Sequence, residues 1–265
     1  MILPPQQRYW STQPLDKPLH RNFFRIISRT HRQPDILSVL PGEWPELGVN
    51  VNYLISSHGM RGGGIILRFG DEKLTSPEIP ELYLDIQEPD ASGLVRTTFV
   101  KGEENPAAQK TIANIKATAE IGNDRVGVVC HSRNQDQFNK MKKQAETGRC
   151  LFCDLKKMRE TAVKENTYWL IKPNDWPYRY HSIHLIFVHK EGHSENNDPR
   201  IISSLAWEET GLLLQWAIRK YNIAGGALVM RFLDYRLSGC TMRHLHWQLQ
   251  VPDGTGPARA WFYKP

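Results

Sequence analysis

Polar and apolar residues alternate without a break from His244 to Val251: His244, His246, Gln248 and Gln250 are separated by Leu245, Trp247, Leu249 and Val251. Successive side chains of an extended chain point to opposite sides. The period of two therefore predicts a strand with one apolar face and one face of ring and amide groups, its side chains about 6.6 Å apart. Other runs predict strands at Val49–Ile55, Ile65–Phe69, Leu82–Ile86, Val95–Val100, Arg125–Cys130, Tyr168–Lys172, Ile183–His189 and Ala227–Leu233. Pro106 opens a helical stretch carrying Ile112, Ile115 and Ala119. A second helix carries Phe138, Met141 and Ala145 and is stopped by Gly148, and a third runs from about Ile201 to Tyr221. Residues up to about Pro34 have little periodicity and read as an extended arm. Gly62-Gly63-Gly64 lacks the Lys-Ser/Thr of a phosphate loop and reads as a flexible turn. No internal repeat is visible. The pattern is α+β, with antiparallel strands and a covering helix.

The 265 residues suffice for one large domain or two small ones, and 40% hydrophobic with 23% charged residues is a globular composition. No apolar run is long enough to span a bilayer and no secretory leader is visible, so no membrane partner and a cytoplasmic location are expected. The net charge of +6 suits an anionic ligand, and equally a solvated surface. Arg and aromatic residues interleave at Tyr9, Trp10, Arg21, Phe23, Phe24 and Arg25, the composition of a single-strand RNA grip.

Four cysteines are too few for a disulfide framework. The pair Cys150-Leu151-Phe152-Cys153 offers two thiolates from one tight turn, and a tetrahedral zinc site needs two more ligands. Candidates are His244 and one histidine among His181, His184, His189 and His193. Cys240 has no evident basic partner and reads as structural.

Together these residues resemble the histidine triad superfamily. The strand His244-Leu245-His246-Trp247-Gln248, preceded by Ser238-Gly239-Cys240-Thr241, is similar to its transferase branch, the galactose-1-phosphate uridylyltransferases and dinucleoside tetraphosphate phosphorylases. Hydrolase members usually carry a third histidine where Gln248 stands. Cys150 to Cys153 looks like the family's zinc knuckle, Lys172 to Tyr178 like its ribose-binding segment, and His184 to His193 like its histidine-bearing strand, with His189 in place of the usual proline. The resemblance spans roughly Cys150 to Pro265. It implies a HIT-like antiparallel sheet with a covering helix in residues 146–265, preceded by an additional α/β region in residues 1–145 of unread role.

The resemblance further implies transfer of a nucleoside monophosphate through a phosphohistidine on His246, with Gln248 orienting phosphate oxygens. Neutral imidazole is a competent nucleophile near pH 7, whereas an amide cannot protonate a leaving group, which favours a phosphate or sugar-phosphate acceptor over water. Ser238, Gly239 and Thr241 would bind phosphates and Asn174 the ribose. Cys150, Cys153, His193 and His244 would hold a structural zinc, with His184 the alternative to His193. The rival readings are a nucleotide hydrolase on the same nucleophile and a non-catalytic nucleotide- or RNA-binding protein. A homodimer is left open.

Overall fold

The computed structural model describes residues 5, 7–101, 134–191 and 197–263. The first half contains β1 (Trp10–Pro14), β2 (His20–Ser28), α1 (Trp44–Ser57), β3 (Gly62–Gly70), α2 (Glu72–Thr75), β4 (Tyr83–Pro89) and β5 (Val95–Val100). The second contains α3 (Gln135–Thr147), α4 (Leu155–Arg159), β6 (Lys164–Glu165), β7 (Trp169–Pro173), β8 (His181–His189), α5 (Ser204–Tyr221), β9 (Gly225–Leu233), α6 (Tyr235–Ser238), β10 (His246–Pro252) and β11 (Ala258–Tyr263). The helix expected from Pro106 and the strand Arg125–Cys130 lie outside the described residues. No described helix is long and apolar enough to cross a membrane.

Nine strands form one antiparallel sheet in the order β1-β2-β4-β3-β9-β10-β8-β7-β6, and β5 pairs with β11 in a second, two-stranded sheet. Helices α1 and α5 cover one face through a large apolar cluster that includes Trp44, Trp207, Leu228 and Trp247. On the opposite face β5 and β11 pack through Phe99 and Phe262. The segment around α3 packs there through Phe138, Met141 and Phe152.

The order 1-2-4-3 followed by 9-10-8-7 is a mirror sequence, and it exposes a repeat that hydrophobic patterning conceals. From α1 onward the halves match at a constant offset of 163 residues, as from Trp44 to Trp207, Gly48 to Gly211, Gly62 to Gly225 and Arg68 to Arg231. The match extends to detail. Trp10 donates its indole N–H to the Glu43 carbonyl (2.9 Å) and Trp169 donates to Ala206 (2.8 Å). Glu46 accepts the backbone N–H groups of Tyr9 and Trp10, and Glu209 those of Thr167 and Tyr168. Asp71 caps α2 and Asp234 caps α6. Left-handed residues recur in pairs at Gly59 and Asn222, Gly70 and Leu233, and Ser76 and Gly239. Each half thus builds the same sheet-and-helix unit, and the first half is a second copy of the arrangement expected only of the second.

Three local expectations are corrected. Val49–Ile55 alternates like a strand, yet it lies inside α1, where Leu47, Val51, Leu54 and Ile55 form a buried helical stripe behind Pro45. The Gly62-Gly63-Gly64 run opens β3 rather than forming a turn. A Cβ on Gly63 would collide with the Gln87 carbonyl on β4, standing 2.9 Å from its carbon, so the sheet requires glycine there. The supposed arm is β1 and β2: Trp10, Phe23 and Phe24 are buried and Arg25 is paired with Asp85, so these residues are not presented for stacking on bases.

Candidate active site

Strand β10 begins at His246, two residues later than the alternation suggests, and His244 sits in the approach to it. Trp247, Leu249 and Val251 enter the helix-side core, as their period of two requires. His246, Gln248 and Gln250 point the other way and are themselves buried, at 6%, 7% and 0% exposure. A buried polar face must be hydrogen-bonded.

The bonds fix the direction of each group. His246 Nδ1 lies 2.7 Å from the His244 carbonyl oxygen. A carbonyl only accepts, so Nδ1 carries the proton and Nε2 keeps its lone pair. Gln248 Nε2 donates to that lone pair at 3.3 Å, and Gln248 Oε1 faces His184 Nε2 at 3.3 Å. His184 Nδ1 accepts the Tyr178 backbone N–H at 3.1 Å, and its Nε2 stands between Gln248 Oε1 and Asn174 Nδ2. His184 thus belongs to the His246–Gln248 network. Tyr178 stacks on it with ring centroids 5.0 Å apart and planes at 13°. Asn174 lies against the same ring, its Nδ2 3.0 Å from His184 Nε2, while its Oδ1 accepts the Trp176 N–H at 3.0 Å.

Behind His246 stands a second cluster. Gly148, left-handed at φ 63°, ends α3, and the tight turn Leu151–Cys153 brings the buried Cys150 and the exposed Cys153 together at His244. Cys150 Sγ and Cys153 Sγ each lie 3.6 Å from His244 Nδ1. Thiolate and imidazole ligands on one tetrahedral zinc ion would stand about 3.6 Å apart, given metal–ligand distances of about 2.3 and 2.05 Å. His244 Nε2 donates to the His189 carbonyl at 2.8 Å, which leaves Nδ1 as the ligand atom, the outer-shell bond common to metal-bound histidines. As a thiol, Cys150 is pushed up to about 12 by burial and by the neighbouring Cys153. These three residues could hold a metal ion and fit zinc. His193 lies outside the described residues, and His189 instead packs on Trp169 in the core, its pKa lowered by burial. Phe152, between the cysteines, sets its ring edge against His244 and His246 (centroids 5.7 and 5.2 Å), so the cluster abuts the reactive strand.

A cavity of about 530 Å³ opens over this face, with His246, Gln248, Asn174, Gly239 and Thr241 in its wall. Gly239, at φ 64°, caps α6, and Ser238 is the helix's last residue, fully buried and not on the cavity wall. Cys240 is buried and its thiol pKa is raised by that burial, consistent with a structural role. The sequence reading missed Arg231 and Arg259, which bring charge to the wall; Lys172 and Tyr178, the ends of the segment likened to a ribose-binding loop, line it too. Lys172 pairs with Asp175 at 2.5 Å. An arginine inside the apolar run Ala227–Leu233 was the available signal for Arg231.

No family model matches the chain, and no curated protein does either. Solved structures do match. A GalT-like protein from Arabidopsis thaliana aligns with a TM-score of 0.52 at 10% identity over 87% of this chain and 65% of its own. A uridylyltransferase aligns at 0.53 and 12% identity over 92% and 69%. An ADP-glucose phosphorylase from Arabidopsis thaliana, solved with ADP-glucose bound, aligns at 0.52 and 10% over 87% and 63%. The fold is that of the uridylyltransferases. Their likeness covers both halves of the chain, more than the residues from Cys150 onward that the sequence motifs reach. The chain spans about two thirds of the length of these uridylyltransferase-fold structures.

Proposed function

We propose that the protein is a nucleotidyltransferase or phosphorylase that moves a nucleoside monophosphate through a covalent intermediate on His246. The observation that carries this reading is the bond from His246 Nδ1 to the His244 carbonyl, which leaves Nε2 as the unprotonated ring nitrogen of a cavity-lining histidine. In the first step the Nε2 lone pair attacks the phosphorus, a P–N bond forms, and the P–O bond to the departing phosphate breaks with its electron pair going to that oxygen. The positive charge gained by the ring is shared with the His244 carbonyl through the retained Nδ1 proton. In the second step an oxygen of inorganic phosphate or a sugar phosphate attacks, and the P–N pair returns to Nε2. Gln248 releases the His246 Nε2 and turns its amide N–H to the phosphate oxygens, while Thr241 offers a further donor; the Gly239 N–H is taken by the Tyr235 carbonyl (2.8 Å). Asn174, beside His184, holds the ribose. Cys150, Cys153 and His244, with His193 as the fourth ligand, would hold a zinc ion that would brace the turn before β10.

The test is intact-mass spectrometry after incubation with a panel of nucleoside diphosphates and diphosphate sugars, quenched in alkali to preserve a phosphoramidate. Wild type should gain the mass of one nucleoside monophosphate, and His246→Ala should gain none while binding nucleotide within about tenfold of wild type. Adding inorganic phosphate or a sugar phosphate should discharge the adduct to a diphosphate product. An adduct of equal yield in His246→Ala refutes the reading, and discharge to the monophosphate alone under all acceptors moves the protein to the hydrolases.

A further inference from the structure

Three residues ahead of α1 form a hydrogen-bonded set that the reaction at His246 does not use. Ser38 Oγ lies 3.0 Å from His31 Nδ1, and His31 Nε2 lies 2.7 Å from Glu43 Oε2. A carboxylate only accepts, so Nε2 carries the proton and the Nδ1 lone pair faces the serine oxygen. Burial is graded along the set: Glu43 is 3% exposed, the His31 side chain 12%, and Ser38 is open to solvent. The Ser38 hydroxyl also donates to the Asp35 carbonyl at 2.8 Å, a contact that holds the oxygen beside the imidazole but cannot remove its proton.

Each member is held by separate bonds. The short turn Ile36–Ser38 is capped by Asp35 and tied to α5 by Gln215, whose Nε2 donates to the carbonyls of Ile36 (3.0 Å) and Val39 (2.7 Å). The His31 N–H donates to Ser28 Oγ at the end of β2 (3.0 Å), and the Glu43 carbonyl accepts the Trp10 indole. The repeat shows that the fold does not ask for these side chains. In the second half the turn Pro199–Ile201 is capped by Asp198 in the same way, with Ile201 in the place of Ser38. Ala206 accepts the Trp169 indole as Glu43 accepts that of Trp10, so alanine serves where the first half buries a carboxylate. Burying that carboxylate is costly without a partner, and His31 is the partner it has. The set lies with α1 and α5 on the face of the sheet turned away from His246.

We propose that Ser38, His31 and Glu43 form a second active centre, independent of His246, that hydrolyses carboxylic esters of small apolar acyl groups. The roles are those of a serine–histidine–acid triad with the two ring nitrogens exchanged. Ser38 Oγ attacks the ester carbonyl carbon while its proton passes to His31 Nδ1, and Glu43, a positioning residue, accepts the Nε2–H of the imidazolium. The bond to the alcohol oxygen then breaks, and that oxygen leaves with the proton from Nδ1. Water attacks the acyl-serine and gives a proton to Nδ1, which returns it to Ser38 Oγ as the carboxylic acid departs. The surroundings set the acyl class. Residues Gln33 to Leu37, between the base and the nucleophile, wall a cavity of about 260 Å³ completed by Phe69, Ile218 and Ile223. No described lysine or arginine lines it, and Asp35 adds a carboxylate, so a short apolar chain fits there and a phosphate does not. Leu37 and Leu40, 41% and 62% exposed, flank Ser38 in the chain and extend the apolar surface.

The test uses a fluorophosphonate probe, with the adduct located by peptide mass spectrometry, and p-nitrophenyl esters from acetate to decanoate. Wild type should take up the probe on Ser38 and hydrolyse the acetate and butyrate esters faster than the decanoate. Ser38→Ala, a change at an exposed position, should lose both the label and the turnover. His31→Gln should slow labelling and turnover by about a hundredfold or more, the contribution of a general base. Glu43→Gln keeps an acceptor for the Nε2–H but not the charge, and should lower kcat by a similar factor with KM unchanged, a split that mere loosening of the turn would not produce. Thermal melts identify any variant that has lost its fold, and where Glu43→Gln has, Ser38→Ala and His31→Gln decide. A probe that maps elsewhere, ester turnover no faster than in buffer, or Ser38 labelling at the wild-type rate in folded His31→Gln overturns the proposal. Decanoate turned over faster than butyrate overturns the assignment of the cavity and of the acyl class.

Discussion

Gly48→Ala should destabilise the protein although alanine is the better helix former. Trp207 of α5 lies over Gly48 of α1, and reciprocally Trp44 of α1 lies over Gly211 of α5. A Cβ on Gly48 would overlap the Trp207 indole, and even the third-nearest ring atom, Cγ, would be 2.6 Å away. Ordinary carbon contacts begin near 3.5 Å, so the ring must retreat by about 1 Å. It has nowhere to go: Trp207 is 1% exposed and is backed edge-to-face by Trp247, centroids 5.5 Å apart. Overpacking of this severity costs up to about 3 kcal/mol, and the helix-propensity gain returns about 1, leaving a net loss of about 2 kcal/mol. For a chain of this size that is a fall of about 4–8 °C in Tm. The assay is urea unfolding followed by circular dichroism, repeated in a Trp207→Leu background, where the same substitution should become neutral or stabilising because the ring is gone. Gly48→Ala with wild-type stability, or an equal loss in both backgrounds, would show that the interlock is not what demands glycine. Because Trp247 lies between His246 and Gln248 on β10, the variant should also slow adduct formation.

Protein purified without chelator should carry about one zinc per chain, and Cys150→Ser should release it and lower thermal stability, as read by metal analysis and melting. If His193→Ala keeps the metal, the fourth ligand is another group. Gln248→His restores a proton donor, so hydrolysis of substrates with poor leaving groups should rise when products are followed by chromatography; an unchanged product ratio would mean that Gln248 does not select the acceptor.

Much of the site was legible because its spacing is short. The period of two placed His246 and Gln248 on one face, and Cys150 and Cys153 needed only one turn to meet. Joining them to His244, 91 residues from Cys153, rested on the place of His244 at the head of the alternating strand and on the need of a tetrahedral site for further ligands. Other features depend on tertiary context. His184 is one of several histidines in sequence and becomes part of the site only because β8 pairs with β10, setting it opposite Gln250. Val49–Ile55 reads as a strand in a seven-residue window because Asn50 and Asn52 fall on alternate positions, and its helical stripe emerges only over the full span of α1. The repeat escaped notice because it is conserved as geometry, through glycines, caps and tryptophans, while the chemical residues differ: Tyr83 and Asp85 stand where His246 and Gln248 stand.

The strands at the centre of the sheet carry a consequence for motion. β3 and β9 are paired along their whole lengths, from Gly62 opposite Leu233 to Gly70 opposite Gly225. Two lobes joined by a flexible connection can swing apart to admit a ligand, but here that swing would have to unzip a buried antiparallel ladder. Among the described residues the halves therefore have no hinge between them. Access to the cavity then falls to the segments at its rim, such as Pro173 to Tyr180, rather than to a swing of one half against the other.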